Sequence, residues 1–473
     1  MTHNDEDDVD DEKQSLHKGD SNFHLEELNS SKNVKGYFAG ARLKKGSVED
    51  SQLLFEKEEI SDRFNLVYII FILQGLALFL PYQLFLTAKE YYANYKLVPS
   101  AVNATETIYQ KNYLAYAGMA GQIPNVVMNI VNLFCHCGGR HVHGGNTRRV
   151  VGGQLIQFSL YVVTLVLACV DSSQWTNVFF IITMTTIVLV NCTTGVVSNC
   201  LFGLTGNFPP RYINALVLGM ASTGFVTGLI MIITKASSPT PRTAAIFYFI
   251  ASMLLVVIAI VTFLSFPSIK YYRYRVYESP AVTELQVVVK MPYLKVFKKI
   301  WIQLFNASIT RFISLSIFPY ILGNIQRINP EFAVVDNYYT ELFGFVLFWF
   351  VTASASTLPQ HYQWPPMKWL IIVAVGRLVF IPYFMFCNYR PEYRSLPVLL
   401  DNDWAVVIGI ILFGFSYGYL AGLTMMYCKK AAGENQIYMR IAGMMSSFAQ
   451  VLGLTLGANF TIFVAWMIEN IGK

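Results

Sequence analysis

Charged residues divide this chain into long uncharged blocks, at 64–88, 112–139, 150–170, 172–210, 212–234, 243–269, 342–367, 404–428 and 441–468. Most exceed the roughly 20 residues that an α-helix needs to cross the apolar part of a bilayer. The block 172–210 opens on the polar turn DSSQW and closes on GNFPPR, so it holds a single span, about 176–201. Two further spans, about 301–323 and 366–388, qualify although each carries one arginine, Arg311 and Arg377. The pattern predicts an all-α polytopic membrane protein with eleven transmembrane helices.

Composition agrees. The 473 residues are 54% hydrophobic and 14% charged, against about 25% charged in ordinary soluble domains, and mean hydropathy is +0.43. Residues 1–62 are polar, open with the acidic run DEDDVDDE and lack apolar periodicity. They read as a disordered cytoplasmic segment rather than a cleaved leader. A basic stretch at 270–299 separates six spans (63–269) from five (300–473). It reads as a cytoplasmic loop between two helical bundles with a path between them.

Placing the N-terminus inside puts this loop, Arg148, Arg149, Arg211, Lys429 and Lys430 in the cytosol, as the positive-inside rule requires. Eleven spans then put the C-terminus outside, and the first external loop carries a glycosylation sequon at Asn103. The sequons at Asn191, Asn306 and Asn459 fall within spans. The seven cysteines lie mostly in or beside spans and give no disulfide framework.

Polar residues inside spans are costly and tend to face a bundle interior or a wet cavity. Here they fall at helical spacing. Gln122, Asn125, Asn129 and Asn132 share one face of the second span, and Asn191, Thr194 and Ser198 one face of the fourth. Ser308 and Ser314 flank Arg311, and Ser446, Gln450 and Gly457 lie near one face of the last span. Each stripe alone is compatible with interhelical hydrogen bonding; four together point to a central polar cavity.

The segment GLALFLPYQLFLTAKEYY (75–92) resembles the opening helix of the equilibrative nucleoside transporters, where a Leu-Pro-Trp-Asn segment borders the cargo site. LFGLTGNFPPRYINALVLGMASTGF (201–225), GRLVFIPYFMFCN (376–388), FSYGYLAGL (415–423) and GLTLGANF (453–460) resemble that family's fourth-to-fifth link and its ninth, tenth and last helices, in order. The resemblance implies a major-facilitator-like fold, alternating access, and passage of nucleosides or nucleobases. It places Phe79, Tyr82, Gln83 and Leu86 toward the cargo, with Tyr82 and Gln83 in place of the family's Trp and Asn. It adds Gln122, Asn125, Ser198 and Leu454 as cargo-facing positions, and Arg149, Gly219, Gly224 and Arg377 as gating or structural ones.

Two departures matter. The eighth helix of the family carries an Asp-x-x-x-Arg pair that holds ribose hydroxyls, and here those positions are Trp349 and Ala353; a Glu usual near the inner end of the last helix is Arg440. Arg311, on the neighbouring seventh helix, is thereby a candidate to supply the missing guanidinium, whose five donors suit vicinal hydroxyls or a base carbonyl. Arg377 reads as a structural arginine.

CHCGGRHVH (135–143) matches no common zinc spacing, and EDSQLL (49–54) fits an acidic dileucine sorting signal. No phosphate loop and no nucleophile–base pair is recognisable, so neither an enzyme nor a nucleotide-driven pump is expected, and no cofactor. No span as drawn contains Asp or Glu, the acidic groups nearest being Glu341 and Asp403 at helix ends. The expectation is a gradient-driven uniporter of neutral or weakly anionic cargo in the plasma membrane, with an endosomal or lysosomal membrane as the alternative. Carriage of another small polar metabolite on the same scaffold, or a non-transporting receptor or scaffold role, stands beside it.

Overall fold

A computed structural model describes residues 61–98, 107–135, 144–238, 240–278, 292–329, 332 and 339–471. Asn103, residues 136–143 of the Cys/His run and the 49–54 signal lie outside these residues. Eleven main helices follow one another in the predicted order: α1 (Leu66–Thr87), α2 (Tyr113–Cys135), α3 (Gly144–Cys169), α4 (Thr176–Leu204), α5 (Pro210–Ser237), α6 (Pro241–Ser265), α7 (Tyr293–Ile317), α8 (Thr340–Gln360), α9 (Leu370–Met385), α10 (Asp403–Ala432) and α11 (Gln436–Asn470). A chain in hydrocarbon must satisfy its backbone groups internally, so long apolar runs become helices. Among the described residues nine helices are long and apolar enough to cross a membrane; α2 and the shorter α9 are not in that set.

Helix ends follow local chemistry. The Asp62 carboxylate accepts from the backbone N–H of Val67 and Tyr68 at the start of α1 (both 3.1 Å), and Asn402 and Asn435 cap α10 and α11. Pro210 and Pro241 open α5 and α6, where a missing N–H costs nothing. Helix α7 begins at Tyr293, inside the segment read from sequence as loop, and residues 270–278 are helical as well. The charges that made this segment look like loop, such as Lys295, Lys298 and Lys299, occupy the first turns of α7.

Helices α1 and α2 to α6 pack among themselves, chiefly α1 on α5 and α2 on α4, and α7 to α11 likewise, with α7 against α10 and α11 and α8 against α10. The halves meet along two seams, α2 and α4 on α11, and α5 on α8 and α10. Glycines set the closest approaches: a Cβ on Gly75 would lie 2.1 Å from the Leu216 carbonyl oxygen, and one on Gly453 2.2 Å from that of Ser308. The first contact fixes α1 against α5; the second fixes α7 against α11, one turn from Arg311. No strand occurs among the described residues.

Candidate functional site

Midway along the helices an aromatic chain crosses from one half to the other. Phe79 packs on Tyr82 (ring centroids 5.5 Å) and edge-on to Trp349 of α8 (5.6 Å), which meets Tyr417 of α10 (6.2 Å). Trp349 also fills the space over Gly224 of α5, where a Cβ would lie 2.2 Å from the indole. Pro81 and Pro124 stand beside this layer inside α1 and α2, and each removes one helical N–H donor.

Several polar atoms of this layer are unsatisfied. The Tyr82 hydroxyl, both amide atoms of Gln83, Gln122 Oε1 and Trp349 Nε1 are buried without a hydrogen-bond partner, and Gln83 is 0% exposed. A buried polar group left unpaired costs about 1–3 kcal/mol. Those on Tyr82 and Trp349 flank Phe79, where a ligand rich in donors and acceptors could satisfy them. Thr455 of α11 donates to the Gln122 carbonyl (3.1 Å), which sets α2 and α11 at this height, and the buried Leu454 adds an apolar face beside it. Leu86 is also buried, two turns beyond Phe79 on α1.

Arg311 is 4% exposed. One terminal nitrogen donates to the Tyr417 hydroxyl and the other to Gln450 Oε1 (2.5 Å), and the guanidinium lies 5.1 Å from the Tyr417 ring centroid. Arg377, 3% exposed, approaches the same ring at 5.6 Å. Its donors go to the Thr310 carbonyl (2.8 Å), Ser314 (3.0 Å) and Ser416 (3.0 Å), tying α9 to α7 and α10. No ion pair includes either arginine among the described residues. Arg377 is thus engaged by helix backbone and hydroxyls, whereas Arg311 holds two side chains that can rotate away.

The other stripe residues lie nearer the end that carries the α6–α7 connection, which loop charge predicts to be the inner end. Asn125 Oδ1 accepts from Asn129 (3.0 Å), Asn129 Oδ1 accepts from Ser447 (3.0 Å), and Ser447 shares a hydrogen bond with Ser198 (2.8 Å). Asn132 donates to Val196 O (3.3 Å) and accepts from Arg149 (3.3 Å). Lys429 closes the inner end by donating to the carbonyls of Thr205 (2.5 Å) and Phe208. Asn125 and Ser198 therefore sit in a packed seam, below the layer of Tyr82, Gln83 and Gln122. Arg440 is buried in the same seam, with its backbone against Gly206. Gly219 abuts Ile72 of α1.

At the opposite end a cavity of about 290 Å³ is lined by Lys89, Glu90, Lys111, Glu341 and Arg390 among others. Lys235 of α5 bridges Glu90 (2.7 Å) and Glu341 of α8 (2.9 Å), so charge pairs join the halves there. Tyr417 was not a sequence candidate because an aromatic residue in an apolar span reads as packing; its signal was the flanking Gly414 and Gly418, which let α10 approach Thr352 of α8. Asn191, Asn306 and Asn459 all lie on helices, α4, α7 and α11.

The sequence profile of the family described as "Nucleoside transporter" matches residues 184–286 and 281–468. Equilibrative nucleoside transporter 3 of Rattus norvegicus is 30% identical, covering 84% of this chain and 88% of that protein. Equilibrative nucleoside transporter 1 of Homo sapiens is 26% identical, covering 85% and 97%. Among solved structures, the major facilitator superfamily proton:xylose symporter XylE bound to 6-bromo-6-deoxy-D-glucose superposes with a TM-score of 0.58 at 8% identity, covering 87% of this chain and 97% of that one. A partially occluded inward-open XylE from E. coli gives 0.56 at 11% identity, covering 87% and 98%. The second pair of likenesses shows the fold, two helical bundles of the major-facilitator type; the profile and the relatives show that this chain belongs to the nucleoside transporter family.

Proposed function

We propose that the chain carries nucleosides, and nucleobases with them, down their own gradient by alternating access, the two helical halves rocking about the layer of Phe79, Tyr82, Gln83, Gln122, Arg311 and Leu454, with Trp349, Tyr417 and Gln450 completing it. The observation that carries this reading is the set of unpaired buried polar atoms between the halves, beside a guanidinium held only by side chains. A nucleoside matches that chemistry: its base stacks on Phe79, Tyr82 or Trp349, its carbonyl accepts from Gln83, Gln122 or Arg311, and its ribose hydroxyls accept from Arg311 or donate to the glutamine oxygens. Arg311 stands in for the charge absent at Trp349 and Ala353 on α8. Asn125 and Ser198 act one step away, in closing the inner seam.

Transport is uncoupled from protons. Among the described residues the central layer contains no carboxylate or histidine to relay them. Glu341 and Asp403 lie in the first turns of α8 and α10, engaged by Lys235 and by the backbone of Ile328 and Asn329 respectively. Loop charge supports a cytoplasmic N-terminus and, with eleven spans, a C-terminus on the opposite face of the membrane. The test is flux of labelled uridine, adenosine and adenine into proteoliposomes of the purified chain, with and without an acid-outside pH gradient. Equilibration without accumulation is expected. Accumulation above equilibrium that a protonophore collapses would overturn the uniport reading.

A further inference from the structure

Beyond α1 the chain turns into a short helix, Tyr91–Lys96. A second cavity, of about 230 Å³, lies where this helix meets the last turn of α5 and the first turn of α6, at the end of the molecule opposite the α6–α7 connection. Tyr91, Tyr95, Met231, Pro241 and Ala244 give it apolar walls. Its size is just below the roughly 300–1,000 Å³ common for small-molecule pockets, and none of its lining residues belongs to the central layer.

Two hydroxyls in the lining are buried without a hydrogen-bond partner, those of Tyr91 and Ser238. Tyr91 is 2% exposed. Its ring lies edge-on to Tyr92 (centroids 4.9 Å) and to Phe249 of α6 (5.8 Å) and stacks on Tyr95 (6.0 Å). Packing on three sides holds the hydroxyl where it is, so it cannot swing to a backbone carbonyl. Ser238 follows the last residue of α5 in extended backbone (φ −115°, ψ 136°). Thr240, another hydroxyl of the lining, shows the contrast: it accepts from the Thr243 N–H (3.2 Å) and caps α6. Buried polar atoms are paired as a rule, and exceptions mark places where something else binds or moves.

The charged residues of the lining, Glu90 and Lys235, are already paired. Lys235 donates to Glu90 (2.7 Å) and to Glu341 of α8 (2.9 Å). An occupant therefore meets no unpartnered charge there. Glu90 also lines the 290 Å³ cavity, so the two cavities adjoin at this ion pair.

We infer that the pocket binds a small uncharged aromatic molecule bearing a hydroxyl. Its ring covers the apolar walls, and its hydroxyl, donor and acceptor at once, pairs with those of Tyr91 and Ser238. The occupant also packs on Lys235, through which α5 holds Glu341 on α8, and so favours the state in which this end is closed. Binding is independent of the cargo; only the effect on flux rests on the alternating-access reading above.

The full chain in phosphatidylcholine nanodiscs is unfolded thermally while 2-naphthol is titrated, with naphthalene at equal concentration as the control that lacks the hydroxyl. The midpoint is expected to rise by about 2–4 °C with 2-naphthol and by clearly less with naphthalene. Tyr91→Phe and Ser238→Ala each remove one hydroxyl and keep the walls; each should weaken the response, and the double variant should abolish it. Ala244→Leu, which fills the pocket, should abolish it too; if that variant fails to fold, the hydroxyl variants carry the test. In proteoliposomes 2-naphthol should slow uridine equilibration by wild type and not by the double variant. An unmoved wild-type midpoint, an equal rise with naphthalene, or a full response in the double variant would overturn the site. A midpoint response with unchanged flux would overturn the effect on closure, and absence of any uridine flux would tell against the cargo reading while the melting result stands.

Discussion

The inner seam and the central layer both draw polar residues from α2 and α11, and they differ in where the hydrogen bonds go. In the seam Asn125, Asn129, Ser447 and Ser198 form one chain in which each side chain meets another at 2.8–3.0 Å. Less than one turn from Asn125 on α2, and on α1 and α8, Gln122 Oε1, the Tyr82 hydroxyl, the Gln83 amide and Trp349 Nε1 have no hydrogen-bond partner. The satisfied set stabilises one packing of the halves. The unsatisfied set has a role only when something else is bound. Arg377 and Arg311 repeat the contrast against a single tyrosine, the first fixed to hydroxyls and a backbone carbonyl, the second to the side chains of Tyr417 and Gln450.

The largest effects should come from breaking the arginine comparison. Arg377→Lys is expected to reduce the amount of folded protein and its melting temperature, because a point ammonium cannot reach Thr310, Ser314 and Ser416 together, and each hydrogen bond lost to a charged group costs about 1.5–3 kcal/mol. Arg311→Lys should leave melting within a few degrees of wild type and lower uridine uptake at least tenfold, since a point charge cannot reproduce the planar fork. Equal melting losses in the two variants would erase the distinction.

Smaller effects sharpen the comparison between layers. Asn129→Leu should destabilise by about 1–3 kcal/mol, because it strands Ser447 and Asn125. Gln83→Leu should raise the melting temperature of the cargo-free protein, because it removes two unpaired buried atoms, while weakening uridine binding. A lower melting temperature for Gln83→Leu would mean that its amide is satisfied after all. The mildest readout concerns topology: glycosidase should shift the gel mobility of wild type from a glycosylating host but not of Asn103→Gln. A shift that persists in the variant would put another sequon outside.

Much of the fold was legible because charge marks where a helix leaves the membrane. The uncharged blocks reproduce the order of the helices, and their ends differ where backbone chemistry intervenes. Helix α7 stops at Ile317 rather than near 323, with Pro319 just beyond, and α8 stops near Gln360 rather than 367, ahead of Pro365 and Pro366. The site was legible in part. Helical spacing tells which face a residue is on but not its depth or its partner, so Gln122 and Asn125, three residues apart on one face, read alike although one is unpaired in the central layer and the other bonded in the seam. Trp349 was visible only as a departure, and Tyr417 was hidden among apolar neighbours.

The central claim is that Arg311 is a cargo ligand in a layer otherwise left unsatisfied. Its most direct test is equilibrium binding of labelled uridine to purified wild type and Arg311→Lys, with the melting temperature of each preparation measured alongside. The account expects affinity to fall at least tenfold at nearly unchanged melting temperature, a loss of about 1.4 kcal/mol or more. Equal affinity in the two proteins would contradict it.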